Sequence, residues 1–174
     1  MAKKHPDVPP LIESRDEEHR DTGIESTVAI AGHPLHPALI VFPVALLVSA
    51  FATDVGYWLT GDGFWARASL WLIGAGIVSG LVAAATGLMD FLRIDRVRNR
   101  SAGWIHMALN VTALGLSLLN FLPRLDNAAA PILPWGIVAS AIVAALLGAS
   151  GWYGGELSYR HKIGVIGDES RNAP

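Results

Sequence analysis

The 174-residue chain contains no cysteine. This absence excludes disulfide bonds, thiolate zinc sites, cysteine-ligated iron–sulfur clusters and covalently attached c-type haem. Charge is also scarce, since Asp, Glu, Lys and Arg make up 16% of the chain, against roughly 25% in a typical soluble domain. The sequence shows no nucleophile triad, no glycine-rich phosphate-binding loop and no dinucleotide fingerprint. It therefore favours neither an enzyme nor a nucleic-acid-binding protein, and no substrate can be named.

Apolar residues, which make up 52% of the chain, are concentrated in four long runs. A helix needs about 20 such residues to cross the hydrocarbon core of a bilayer. The runs lack the polar face that a helix of a soluble bundle shows every three to four residues. We therefore predict an all-α, four-helix transmembrane bundle with up-down-up-down topology. The predicted helices cover residues 37–59, 65–92, 101–122 and 135–153.

Polar segments flank this membrane domain, which is predicted to cover residues 32–165. The first 25 residues hold four Lys or Arg and seven Asp or Glu, so residues 1–31 are predicted to be a disordered tail. Residues 166–174 form a second polar tail. Eleven of the thirteen Lys and Arg lie at the two ends and in the loop 93–100. Because cytoplasmic loops carry the excess of positive residues, both termini are predicted to be cytoplasmic.

Small residues repeat along the second and fourth predicted helices. Because small residues let helix backbones approach closely in lipid, both stripes are predicted to face the bundle, or to serve a homo-oligomer. On the third helix, His106 and Asn110 begin a polar stripe, which should also point inward because polar groups are costly in hydrocarbon. The small residues are Gly76, Gly80, Ala83 and Gly87 on the second helix and Ala141, Ala144, Gly148 and Gly151 on the fourth.

Ionisable side chains gather at the predicted cytoplasmic face once the helices are threaded up and down. Every helix contributes to this cluster at its cytoplasmic end, which helix packing alone does not require. The cluster contains His33, His36, His106, His161, Asp90, Glu156, Arg93 and Arg160. On the opposite face, Asp54 and Arg67 are predicted to form a separate interfacial pair.

Three interpretations of the histidine cluster are open. The first is a b-type haem bound between helices one and three, because four-helix bundles build such sites between facing helices. His36 and His106 are then the axial ligands, and a carboxylate orients one of them. His33 and His161 are alternative ligands, and Arg93 or Arg160 pairs with the propionates.

The second interpretation is a non-haem transition metal, since imidazole combined with carboxylate suits Zn, Fe, Mn or Cu. Its candidate ligands are His33, His36, His106, His161, Asp90 and Glu156. The third interpretation needs no cofactor: the same groups bond to one another and form a hydrogen-bonded cap in a structural or scaffold subunit of the membrane.

Four motifs carry a family resemblance. They are His33-Pro-Leu-His-Pro37, Thr86-Gly-Leu-Met-Asp90, His106-x-x-x-Asn110 and Gly151-Trp-Tyr-Gly-Gly-Glu156. The chain resembles, over residues 32–165, a bacterial membrane family catalogued as domain of unknown function 2231. The resemblance implies a multi-pass protein of the bacterial inner membrane with no established activity. Fusions of that domain to Rieske or c-type cytochrome domains imply electron transfer, which here requires a haem of the chain's own or a redox partner protein.

Overall fold

The computed structural model describes residues 23–165. Within them, four long apolar helices form an antiparallel bundle, and the predicted all-α fold is confirmed. These helices are here named the first to fourth spans: Leu35–Thr60, Gly63–Arg93, Ser101–Leu125 and Ile132–Arg160. The two tails predicted outside the bundle fall largely on residues 1–22 and 166–174, which lie outside the described residues.

Breaks and turns divide the spans into shorter elements. The first span comprises α1 (Leu35–Leu39) and α2 (Val41–Thr60), and the second is α3 (Gly63–Arg93). The loop that follows contains α4 (Asp95–Arg98), and the third span is α5 (Ser101–Phe121) with a 3-10 turn (Leu122–Leu125) at its end. In the fourth span, α6 (Ile137–Gly155) lies between two π-helical turns (Ile132–Gly136 and Glu156–Arg160). The fourth span thus continues beyond its predicted end at Tyr153. Gly154 lies inside the extended helix, where it makes room for a side chain of the third span.

A two-residue turn joins the first two spans. Gly61 ends α2 in the left-handed conformation, with φ of 67°, which glycine adopts without steric cost. Asp62 then caps α3, because its side chain accepts a hydrogen bond from the amide of Phe64 over 2.8 Å. The turn is too short for anything but an antiparallel pair of helices.

The first and third spans lie on one diagonal of the bundle, and each packs against the second and the fourth. Large apolar side chains cover the outside, as Trp71 (76% exposed) and Val111 (66% exposed) illustrate. Lipid tails are as apolar as these side chains, so the exterior provides no force that holds the helices together. The bundle must be specified by its interior.

Small residues give that interior its close contacts, though not everywhere as predicted. Gly76 of the second span packs directly against Leu47, as expected. Gly148 of the fourth span is exposed, and a Cβ there would meet nothing within 4 Å. It therefore does not pack inside this bundle, and its role in a homo-oligomer stays a prediction. The buried side of that helix consists instead of Ser140, Val143, Leu147 and Ser150.

A fully buried ion pair lies at the bundle end where the first and third spans finish. Arg124 Nη1 and Nη2 donate to Asp54 Oδ1 and Oδ2 over 2.7 and 2.9 Å, and both side chains are 0% exposed. The pair expected between Asp54 and Arg67 is not formed, because Arg67 points outward and is exposed. A bidentate contact of this kind is the strongest geometry available to a carboxylate and a guanidinium.

All four spans contribute to the hydrogen bonds around this pair. Ser69 of the second span donates to Asp54 Oδ1 and Ser140 of the fourth donates to Oδ2, both over 2.6 Å. Asn120 Oδ1 accepts from Arg124 Nε and Nη2 over 3.2 and 2.9 Å. Burying two charges is tolerable only when such partners satisfy them.

The chain before the first span folds back across the other end of the bundle. This segment, residues 24–34, is here named the strap. Ser26 Oγ donates to Asp90 Oδ2 over 2.7 Å, and the amide and hydroxyl of Thr27 donate to Oδ1 over 2.7 and 2.8 Å. Ile24 also pairs with Ile163, and β1 (Ala29–Ile30) pairs with β2 (His33–Pro34). The strap therefore differs from the disordered tail predicted through residue 31, because Asp90 holds it in place.

Removing one member of the buried pair should strand the other charge. We expect Arg124→Leu to lower the free energy of unfolding by about 3–5 kcal/mol, measured by denaturant titration of the helical circular dichroism in detergent. Arg67→Leu is the control, since an exposed change is usually worth no more than about 0.5 kcal/mol. Equal stability of the two variants would contradict the role assigned to the pair.

Asp90→Ala should release the strap, since it removes the acceptor of three hydrogen bonds. We expect amide exchange across residues 24–31 to accelerate by roughly tenfold or more, measured by hydrogen–deuterium exchange with mass spectrometry. Asp95→Ala, which removes the exposed partner of Arg98, should leave that exchange unchanged. Unaltered exchange in Asp90→Ala would show that other contacts hold the strap.

Candidate functional site

Two histidines meet across the diagonal at the end of the bundle that the strap covers. His36 lies on the first span and His106 on the third, with ring centroids 6.1 Å apart and ring planes at 90°. Both line a cavity of about 620 Å³, within the range of roughly 300–1,000 Å³ typical of small-molecule and cofactor sites. Small residues of the second and fourth spans make up much of its wall: Gly80, Ala83, Gly87, Gly151 and Gly154.

The second span orients the ring of His36. His36 Nδ1 lies 2.9 Å from the carbonyl oxygen of Ala83. A carbonyl only accepts, so Nδ1 carries the proton and Nε2 of the neutral ring keeps its lone pair. The ring also lies against Gly87, where a Cβ would come within 2.7 Å of His36 Cε1. A larger residue at position 87 would displace the imidazole.

The fourth span orients the ring of His106 in the same way. His106 Nδ1 lies 2.8 Å from the carbonyl oxygen of Ser150, and a Cβ at Gly154 would come within 3.1 Å of His106 Cε1. Asn110 Nδ2 lies 3.3 Å from His106 Nε2 but makes shorter bonds to Ser150 Oγ (2.6 Å) and the His106 carbonyl (2.8 Å). The shorter bonds use both amide hydrogens, so Nε2 again keeps its lone pair.

This pair of imidazoles has the chemistry of a metal or haem ligand set. A ligating histidine typically donates its other ring N–H to a carbonyl or carboxylate, which fixes the ring and raises its basicity. Two imidazoles on one metal ion place their nitrogens about 4 Å apart, twice a metal–nitrogen distance of about 2 Å. Ring centroids must then be farther apart than the nitrogens, so the observed 6.1 Å is compatible with a shared ion. His36 and His106 thus have the ligand chemistry and the centroid spacing of a candidate bis-histidine site.

Residues 32–167 match the family model described as a predicted membrane protein, DUF2231. The chain belongs to this family. The resemblance seen in the motifs is thus confirmed, and together with the four spans it identifies a multi-pass membrane protein. No curated protein and no solved structure matches the chain.

The other two histidines of the DUF2231 domain lie away from the cavity. His33 is exposed on the strap, where its Nδ1 contacts the carbonyl oxygen of Ala31 over 2.9 Å. His161 is buried beyond the end of the fourth span, where its carbonyl accepts from Arg96 over 3.3 Å. Neither lines the cavity, because strand β2 turns His33 outward and the extended fourth span carries His161 past the bundle end.

The carboxylates and arginines of the predicted cluster are also dispersed. Asp90 lines the cavity but its oxygens are bonded to the strap. Glu156 pairs with Arg160 at 3.8 Å, Arg93 is exposed, and none of these three lines the cavity. Across residues 23–165, no three His, Asp or Glu side chains are placed to hold one metal ion. The larger non-haem ligand set is therefore not assembled in this part of the chain.

Sequence reasoning missed Arg124, Ser150 and Gly154. Backbone acceptors such as the Ser150 carbonyl leave no trace in residue type, so that contact had no signal. Arg124 did have one: it follows His106 by the same 18 positions by which Asp54 follows His36.

Proposed function

We propose that this protein binds a b-type haem between His36 and His106 and serves as an electron-transfer module of the membrane. One observation carries the proposal: two imidazoles from opposite spans, each with Nδ1 bonded to a carbonyl, line one cavity. Imidazole rings whose orientation is fixed through Nδ1 are preorganised ligands. No third ligand is needed for such a group.

A haem held by two imidazoles supplies one-electron redox chemistry, and the protein tunes it. The carbonyls of Ala83 and Ser150 raise the basicity of the rings that they orient. Apolar residues make up most of the cavity wall, and Ser26 and Pro34 of the strap also line it. A redox partner protein would deliver or remove the electron.

The proposal places the site near the cytoplasmic side of a bacterial inner membrane. The basic loop 93–100, the strap and the end of the fourth span lie at the histidine end of the bundle, and positive residues favour the cytoplasmic face. The redox partner would then bind on that side.

A cofactor-free scaffold is the second candidate, and the strap favours it. Three hydrogen bonds join Asp90 to Ser26 and Thr27, so the strap caps this end of the bundle in place of the expected bonds among His, Asp and Glu. This candidate accounts for Asp90 but leaves the cavity beside His36 and His106 without a role.

Absorption spectra of the purified protein test the haem proposal. Protein expressed with haem supplied and purified in detergent should show a Soret band, and its visible bands should sharpen on reduction with dithionite. His36→Ala and His106→Ala should each abolish these bands, because each variant removes one of the two proposed haem ligands.

His33→Ala is the matched control, since His33 is exposed and outside the cavity, and it should keep the wild-type spectrum. A featureless wild-type spectrum would overturn the haem proposal. Elemental analysis of the same sample would then separate a bound transition metal from the cofactor-free scaffold.

A further inference from the structure

The two histidines are held by equivalent devices on different helices. In each case the imidazole comes from an odd-numbered span and the acceptor from the span that follows. Ala83 offers its carbonyl to His36 four residues before Gly87, and Ser150 offers its carbonyl to His106 four residues before Gly154. In both helices, the residue whose carbonyl accepts from the imidazole is followed, about one helical turn later, by the glycine against which the ring packs.

This correspondence extends along the first and third spans between the histidines and the ion pair. A shift of 70 positions brings His36 onto His106 and Asp54 onto Arg124. The same shift brings the buried positions Pro43, Leu47 and Ala50 onto Ala113, Ser117 and Asn120, which are also buried. Each span therefore presents the same face to the interior at the same depth.

The second and fourth spans correspond as well, at a shift of 67 positions. Ser69, Ile73, Gly76, Gly80 and Ala83 are buried on the second span. Their counterparts Gly136, Ser140, Val143, Leu147 and Ser150 are buried on the fourth. Exchanging the two halves also leaves the helix contacts unchanged, since the first and third spans each pack against the second and the fourth.

On a pseudo-two-fold axis, equivalent positions of the two halves meet. Neutral imidazoles can meet as identical residues, so His36 faces His106. Two like charges buried together would repel and could not both stay ionised. The equivalent pair at the opposite end is accordingly complementary, with Asp54 bonded to Arg124.

We propose that the chain is an internal duplication of a two-span unit, and that its halves are equivalent holders of one ligand on the axis between His36 and His106. Gly87 and Gly154 are the matching positioning residues, each giving room to one imidazole. The identity of the ligand as haem rests on the proposed function; the equivalence of the holders does not.

Double-mutant cycles on apoprotein, prepared without added haem, test the holders directly. Gly87→Ala should lower the Tm by roughly 2–4 °C or more, because the new Cβ overlaps the His36 ring. Adding His36→Ala should remove most of that loss, whereas adding His106→Ala should not. Gly154→Ala should lower the Tm less, because its Cβ would lie 3.1 Å from His106 Cε1, whereas a Cβ at position 87 would lie 2.7 Å from His36 Cε1. Only His106→Ala should rescue the Gly154→Ala variant.

Gly148→Ala is the control on the same helix as Gly154, since a Cβ there would meet nothing within 4 Å. It should not couple to either histidine. The equivalence of the holders would be overturned if a histidine variant rescued the glycine variant of the other half, or if rescue occurred in one half alone.

Haem titration of the same variants separates this proposal from the proposed function. We expect one haem per chain, with affinity reduced in both Gly87→Ala and Gly154→Ala and retained in Gly148→Ala. If each glycine variant is rescued only by its own histidine variant but the protein binds no haem, the haem function is refuted and the duplication stands. Haem binding without this matched rescue would support the haem function and refute the equivalence of the two holders.

Discussion

A carboxylate and a guanidinium sealed from solvent need partners on every side, and in this bundle each span supplies one. Asp54 of the first span accepts hydrogen bonds from Ser69, Arg124 and Ser140, which come from the second, third and fourth spans in turn. The apolar exterior cannot set the depth or rotation of a helix, because lipid accepts any apolar face equally. The ion pair therefore fixes how the four helices are aligned.

A bundle fixed at one end can be open at the other. Near His36 and His106 the interior holds a cavity lined by glycine, alanine and larger apolar residues such as Leu47, Leu114 and Leu147, where a tightly packed core would otherwise be expected. The strap covers this end through Asp90, so the loss of packing is confined to a sheltered space. The buried ion pair and the cavity thus lie at opposite ends of the bundle, and a substitution at one end need not disturb the other.

The repeat explains why both ends are built from pairs. Duplication of a helical hairpin places each ancestral position twice, and positions near the axis come into contact with their own copies. Neutral groups can remain alike, whereas charged groups must become opposite. A bis-histidine site and a buried ion pair in one small domain are then two outcomes of the same symmetry, differing only in the charge of the residue involved.

Hydropathy and helix periodicity determined the four spans, the topology and the inward faces of His106 and Asn110, because these depend on properties of neighbouring residues along one helix. The tertiary structure alone decided the partners. Arg124 binds a residue 70 positions away, Asp90 binds the strap rather than a histidine, and the fourth span turns Gly148 outward. Each outcome depends on which side chains of separate helices reach the same depth and direction, and no local pattern records that.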